Sequence, residues 1–218
     1  MSKIEKVILF NDIIGSSKLW RLYDIKMYNK LNKFIEITNN LLKNYNNSKI
    51  IKMLGDSFML EFNKVEDAIN FSIEFNNILN NNKTGLFLNK SKNDRILIRT
   101  GICYGKVHKL NFNIQNCNVI DYFGNVVNTT SRMESKVAKN NGIAIGFLKD
   151  KEKDINKIYN TFKNNDKYNV NLLEYNNNCS INRNKRSAKL LNNLNFVCKN
   201  IQKLKGVDNI KVIDISPK

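Results

Sequence analysis

The sequence predicts an α+β domain in which a mixed or antiparallel sheet carries helices, and three observations lead there. Short β-branched and aromatic runs, among them Lys6 to Phe10 (KVILF), Ile96 to Tyr104 (ILIRTGICY) and Ile210 to Ile215 (IKVIDI), read as buried strands. Longer stretches with apolar residues at helical spacing stand between them. The first half runs strand, helix, two strands, helix, which departs from the alternation of a long parallel sheet. With 218 residues and 42% hydrophobic content, the chain can bury one domain core.

The first strand ends at Asn11-Asp12, and Gly15-Ser16-Ser17 opens a helix whose apolar residues Leu19, Leu22, Leu31, Ile35 and Leu42 keep helical spacing. Asn46-Asn47-Ser48 breaks it. KIIKMLGDSFMLEF then alternates as a hairpin with Gly55-Asp56 at its tip, and Val65 to Leu79 reads as an amphipathic helix. Asn80 to Asn93 is a polar loop. A helix over Val126 to Ala138 enters from Gly124, and a short strand over Ile143 to Gly146 follows. Lys149 to Asn195 is rich in Lys and Asn with weak periodicity, and Asn176 to Asn178 and Asn182 to Arg186 read as exposed loop. The core resumes near Phe196, and Lys205-Gly206 forms a turn before the closing strand. One domain is expected over residues 1–218.

Composition excludes several classes. No apolar run approaches the roughly 20 residues of a membrane helix. The N-terminus MSKIEKVILFND sets Glu5 and Lys6 beside a strand-like run rather than a signal-peptide core, so a cytoplasmic protein is expected. Cys103, Cys117, Cys179 and Cys198 show neither CxxC pairing nor histidine partners, which argues for reduced thiols over a disulfide framework or zinc site. The formal charge of +17 attracts polyanions, whether nucleotides, nucleic acid or acidic headgroups. It does not choose among them, and coding from AT-rich DNA accounts equally for much of the Lys and Asn.

Asp12 falls where a strand ends and Asp56 at a hairpin tip, two places from which a carboxylate can leave the core and meet a counterpart. Such a pair suits Mg²⁺, which is commonly held by one or two carboxylates plus substrate phosphates. Gly15-Ser16-Ser17 would offer backbone N–H groups and a helix N-terminus to a polyphosphate. Taken singly, each reads as well as a turn residue, an N-cap or an ordinary hairpin tip.

FNDIIGSSKLW and KMLGDSF resemble the two metal-binding motifs of class III adenylyl and guanylyl cyclases. DYFGNVVNTTSRMES resembles that family's base and transition-state segment, and KLKGVDNIKVIDI its C-terminal lysine motif. The motifs stand in the family's order from Phe10 to Ile215. The resemblance implies a ferredoxin-like nucleotide cyclase fold and a nucleoside triphosphate substrate. It implies that Asp12 and Asp56, with the carbonyl of Ile13, hold two divalent ions, Mg²⁺ or Mn²⁺. Gly15, Ser16 and Ser17 would face the polyphosphate and Lys205 the terminal phosphates. Asn128 would orient the ribose, and Arg132, one turn along the same helix face, would stabilise charge on the α-phosphate. The reaction implied is in-line attack of the ribose 3′-hydroxyl on the α-phosphorus, with pyrophosphate leaving. His108, the only histidine, lies outside the motifs and has no role in this scheme.

In the family, base choice rests on positions that here are Lys52 and Asp121. A lysine donor and an aspartate acceptor complement adenine's N1 acceptor and N6 amino donor, whereas guanine presents the reverse. ATP conversion to 3′,5′-cyclic AMP is therefore implied. Cytosine shares adenine's polarity, so only pocket size separates CTP. One alternative is a cyclase of the same fold using CTP, UTP or GTP. Another is a catalytically silent nucleotide- or nucleic-acid-binding module, although such relatives lose a metal carboxylate or the Asn/Arg pair, and all four are present. The family's head-to-tail sites imply a homodimer in which the metal carboxylates of one protomer face Lys52, Asp121, Asn128 and Arg132 of its partner. Against the family, residues 149–195 look like a basic insertion. Its NRNKRSAK segment, Asn182 to Lys189, is favoured as a solvated loop over a docking surface for nucleic acid or anionic membrane.

Overall fold

A computed structural model describes residues 2–115, 117–175, 189–191, 194–198 and 210–218. Its centre is strand β1 (Ser2–Ile13), longer than its apolar run because the β6 edge pairs with it from end to end. On one side it runs antiparallel to β3 (Ser57–Phe62), which closes the hairpin with β2 (Lys49–Leu54). On the other it pairs along its whole length with β6 (Ile98–Ile114). Helix α1 (Ser16–Leu42) joins β1 to the hairpin, and α2 (Val65–Asn80) leads through a small ladder of β4 (Phe87–Asn89) and β5 (Asp94–Arg95) into β6. The expected polar loop at 80–93 therefore contains a short strand.

Beyond β6 come β7 (Cys117–Phe123), α3 (Asn125–Arg132), a π-helical turn (Met133–Val137) and β8 (Ile143–Phe147). After them stand a 3-10 turn (Lys149–Asp154), α4 (Ile155–Phe162) and β9 (Tyr168–Tyr175). Strands β10 (Lys189–Leu191), β11 (Leu194–Cys198) and β12 (Ile210–Pro217) complete the chain. The sheet order is β10-β11-β9-β12-β8-β6-β1-β3-β2, with β7 paired to β6. Antiparallel pairs are interrupted by two parallel ones, β6 with β8 and β11 with β9, so the sheet is mixed as expected.

The sheet buries both faces. Alternation along β1 sends Val7, Leu9 and Ile13 into a core with Phe34 of α1, Phe71 and Phe75 of α2, and Ile155, Ile158 and Phe162 of α4. Phe34 and Phe75 lie 5.0 Å apart between ring centroids. Each such fully buried aromatic is worth about 2–3 kcal/mol. Ile8 and Phe10 point the other way, against Cys103, Tyr122 and Val126, under α3 and β7.

Two stretches differ from the sequence reading. Residues 149–175, read as weakly periodic, carry α4 and β9, because Ile155, Ile158 and Phe162 recur on one helix face and that face is buried. The long ribbon of β6 and β7 continues well past Tyr104, where Leu110, Phe112 and Ile114 alternate with Asn111 and Asn113, a strand signal the sequence reading passed over. Lys205, Cys179 and most of the Asn182 to Lys189 segment lie outside the described residues. Cys103 is a buried free thiol, and Cys117 an exposed one. Among the described residues no helix is long and apolar enough to cross a membrane.

Candidate active site

Asp12 lies one residue from the end of β1, opposite Arg99 in the β6 ladder. By alternation it shares the face of Phe10, and Arg99 shares the face of Gly101 and Cys103, the side covered by α3. The Arg99 guanidinium stands 2.9 Å from Asp12 Oδ2 and 3.1 Å from Glu134 Oε1. The second contact is an ion pair without hydrogen-bond alignment, since Glu134 Oε1 and Arg99 Nε both lack hydrogen-bond partners.

Asn11 secures the hairpin against β1. Its buried side-chain oxygen accepts from Phe58 N at 3.2 Å, and its carbonyl accepts from Ser57 Oγ at 2.7 Å. The Gly55-Asp56 tip is thereby held beside the end of β1. Gly55 takes a φ of 67°, so a two-residue turn with glycine first can close the hairpin. Asp56 Oδ2 is buried and has no hydrogen-bond partner among the described residues. A bare carboxylate oxygen taken from water is costly unless a cation meets it, so this atom fits a metal ligand. No group of three or more His, Cys, Asp or Glu side chains among the described residues could hold an ion alone. Two carboxylates completed by substrate phosphates remain the arrangement Mg²⁺ commonly accepts.

Next to this pair, Ile13 is held in the β1–β6 ladder and Ile14 N donates to Leu97 O at 2.8 Å, which fixes the backbone ahead of the Gly15 turn. Gly15 adopts φ 65°, ψ 27° and caps α1. The first helical bonds run from Lys18 N and Leu19 N to Gly15 O, leaving the amides of Ser16 and Ser17 outside the ladder. The first turn carries no acidic residue. It thus offers unopposed donors to an anion.

Glu134 was not singled out from sequence, nor was Arg99. Burial pushes the Glu134 carboxyl up to about 7; Arg99 opposes this, and the charges of Asp12 and Asp56 add to it. Because the folded state binds this proton more tightly than the unfolded chain does, stability falls as pH rises from the unfolded value of 4.5 through about 7. Glu134→Gln removes that loss. Chelator-treated variant should gain on wild type by about 1–2 kcal/mol between mildly acidic and mildly alkaline buffer, after discounting for solvent screening. Urea unfolding at the two ends of that window checks it; a constant difference would rule out Glu134 as the titrating group.

Lys52 and Asp121 form a second, separate pair. Lys52 Nζ donates to Asp121 Oδ2 at 2.7 Å, Asp121 Oδ1 accepts from Tyr122 N at 2.7 Å, and Lys52 Nζ lies 5.8 Å from the Phe123 ring centroid. Since β3, β1 and β6 intervene between β2 and β7 in the sheet order, only a strongly curled ribbon brings these residues together. Asn128 is exposed and Arg132 half-buried, one turn apart on α3. Glu134, from the π turn, is the side chain of this segment that shares Arg99 with Asp12; Arg132 makes no ion pair among the described residues. The expected continuous helix over Val126 to Ala138 is thus α3 followed by a π turn.

Solved structures of cyclase domains share this fold. The guanylate cyclase domain of RhGC from Catenaria anguillulae, in complex with GTP, aligns over 100% of both chains at 18% identity and a TM-score of 0.66. The adenylyl cyclase CyaB from P. aeruginosa aligns over 100% of this chain and 97% of its own at 17% identity and a TM-score of 0.64. The guanylyl cyclase Cya2 aligns over 98% and 92% at 16% identity and 0.66. No curated protein sequence matches the chain. The architecture is that of a nucleotidyl cyclase catalytic domain. Residues 1–171 match the adenylate and guanylate cyclase catalytic domain, and the chain belongs to that family.

Proposed function

We propose that the protein converts ATP to 3′,5′-cyclic AMP and pyrophosphate at two equivalent sites of a homodimer. The observation that carries the choice of base is the Lys52–Asp121 pair, a donor and an acceptor held 2.7 Å apart with the polarity adenine requires. A guanine in their place would face a lysine with its own N1–H, leaving mismatched donors.

Asp12 and Asp56, with the Ile13 carbonyl, would hold two divalent ions, Mg²⁺ or Mn²⁺, and the orphaned Asp56 oxygen supports that assignment. Such ions supply Lewis acidity at the attacking hydroxyl and neutralise the leaving pyrophosphate. The chain's own residues do the rest. Asn128 orients the ribose, Arg132 meets charge growing on the α-phosphate, and the Gly15 to Ser17 amides and Lys205 receive the outer phosphates. The homodimer is supported by Glu134, rather than Arg132, being linked to Asp12 through Arg99, which leaves the phosphate arginine to serve a partner's carboxylates. Exposed apolar residues beside the Lys52–Asp121 pair support it further: Met53 and Leu54 on the hairpin, and Leu110, Ile114 and Phe123 on the ribbon.

Incubation with ATP, GTP, CTP and UTP, each with Mg²⁺ or Mn²⁺, and mass spectrometry of the products tests the reading. Cyclic AMP from wild type, none from Asp12→Ala, and a loss of at least about tenfold in ATP turnover for Lys52→Glu are expected. A different cyclic product would overturn the role of Lys52 and Asp121.

A further inference from the structure

Arg99 has no task in the scheme above, yet it is the one cation in direct contact with a proposed metal carboxylate among the described residues. Its terminal nitrogen is shared, 2.9 Å from Asp12 Oδ2 and 3.1 Å from Glu134 Oε1. Both acids are largely covered, with side chains 27% and 10% exposed, and Arg99 is 29% exposed. A guanidinium keeps its charge at any working pH, so it is a permanent competitor for the oxygen that a divalent ion would seek. Glu134 works against that competition. It pulls the same nitrogen away from Asp12 and adds a negative charge to the cluster. Its position depends on the π turn, which brings residue 134 to β6 where Gly101 allows the backbones to touch.

We propose that Arg99 is a resident counter-ion of the Asp12–Asp56 site, divided between Asp12 and Glu134, and that this division sets the site's affinity for divalent ions. Glu134 is then a positioning residue that acts through Arg99. The inference rests on the metal assignment given above. It predicts opposite signs for two neighbouring substitutions. Arg99→Gln removes the competitor and tightens ion binding, whereas Glu134→Gln hands Arg99 wholly to Asp12 and weakens it. For charges a few ångströms apart in a partly solvated site, each change should be about tenfold. A merely structural role would weaken both.

The test is Mn²⁺ titration of the metal-stripped full chain without nucleotide, followed by electron paramagnetic resonance in mildly alkaline buffer, with circular dichroism to establish folding. Arg99→Gln is expected to bind about tenfold tighter, Glu134→Gln about tenfold weaker, and Arg99→Lys, which keeps the charge, within about threefold of wild type. If Arg99→Gln fails to fold, Glu134→Gln decides alone, and unchanged or tighter binding overturns the proposal. Loss of affinity in both variants also overturns it, while the metal site stands provided Asp56→Ala abolishes Mn²⁺ binding. Equal binding by wild type and Asp56→Ala would instead remove the metal site, and this inference with it.

Discussion

Chains carrying Asp12→Ala and chains carrying Arg132→Ala are each expected to be inactive alone and to recover about a quarter of wild-type turnover when mixed. In the proposed scheme Asp12→Ala removes a metal ligand and Arg132→Ala the cation that meets charge on the α-phosphate, so each alone should cost about a thousandfold. Mixing restores one complete site in every mixed dimer, because one partner still supplies its carboxylates and the other its arginine. Random exchange makes about half the dimers mixed, and each has one working site of two. The structural basis is that Glu134, two residues beyond Arg132, is the acid drawn to Asp12 through Arg99. Differently tagged chains that co-purify yet stay inactive would sink the shared site. Activity in an Arg132→Ala chain alone would do the same for the role of that arginine.

Among the described glycines, Gly101→Ala is expected to be the most damaging substitution. A Cβ at this position would lie 2.3 Å from Glu134 N and 2.4 Å from Thr130 O, both backbone atoms that no side-chain rotation can move. The strand and the α3–π segment must then separate, at a cost of about 3 kcal/mol or more. Gly101 also sets the distance at which Glu134 meets Arg99. The variant should therefore lower the urea midpoint sharply and lose turnover at temperatures where it remains folded. A midpoint shift worth less than about 1 kcal/mol would show that the segment is not clamped as described.

Much of the architecture was legible because its signals are local. The run KVILF, the Gly55-Asp56 tip and the helical spacing of Val65 to Leu79 each state their conformation within a few residues. The β6–β7 ribbon escaped the reading although Leu110, Phe112 and Ile114 alternate with asparagines, because Leu110 and Ile114 stay exposed and only the ladder shows that the run is paired. Helix α4 escaped for a related reason. Its three buried residues stand among lysines and asparagines that dilute the pattern, and only packing on the sheet shows which face counts.

Within the candidate site the same division holds. Residue type and order determined the pair Asp12 and Asp56, the Gly15 turn, the Lys52 and Asp121 polarity and the Asn128–Arg132 spacing, since each is a statement about chemistry at a chain position. Tertiary structure alone decided which of these meet. Lys52 reaches Asp121 only through the curl of the ribbon, and Asn11 anchors the hairpin only because β1 and β3 align in register. Arg99 faces Asp12 only through the β1–β6 ladder, and Glu134 joins them only because the helix widens into a π turn. Contacts between residues tens of positions apart depend on register, twist and close backbone approach, and none of these has a signature in a short stretch of sequence.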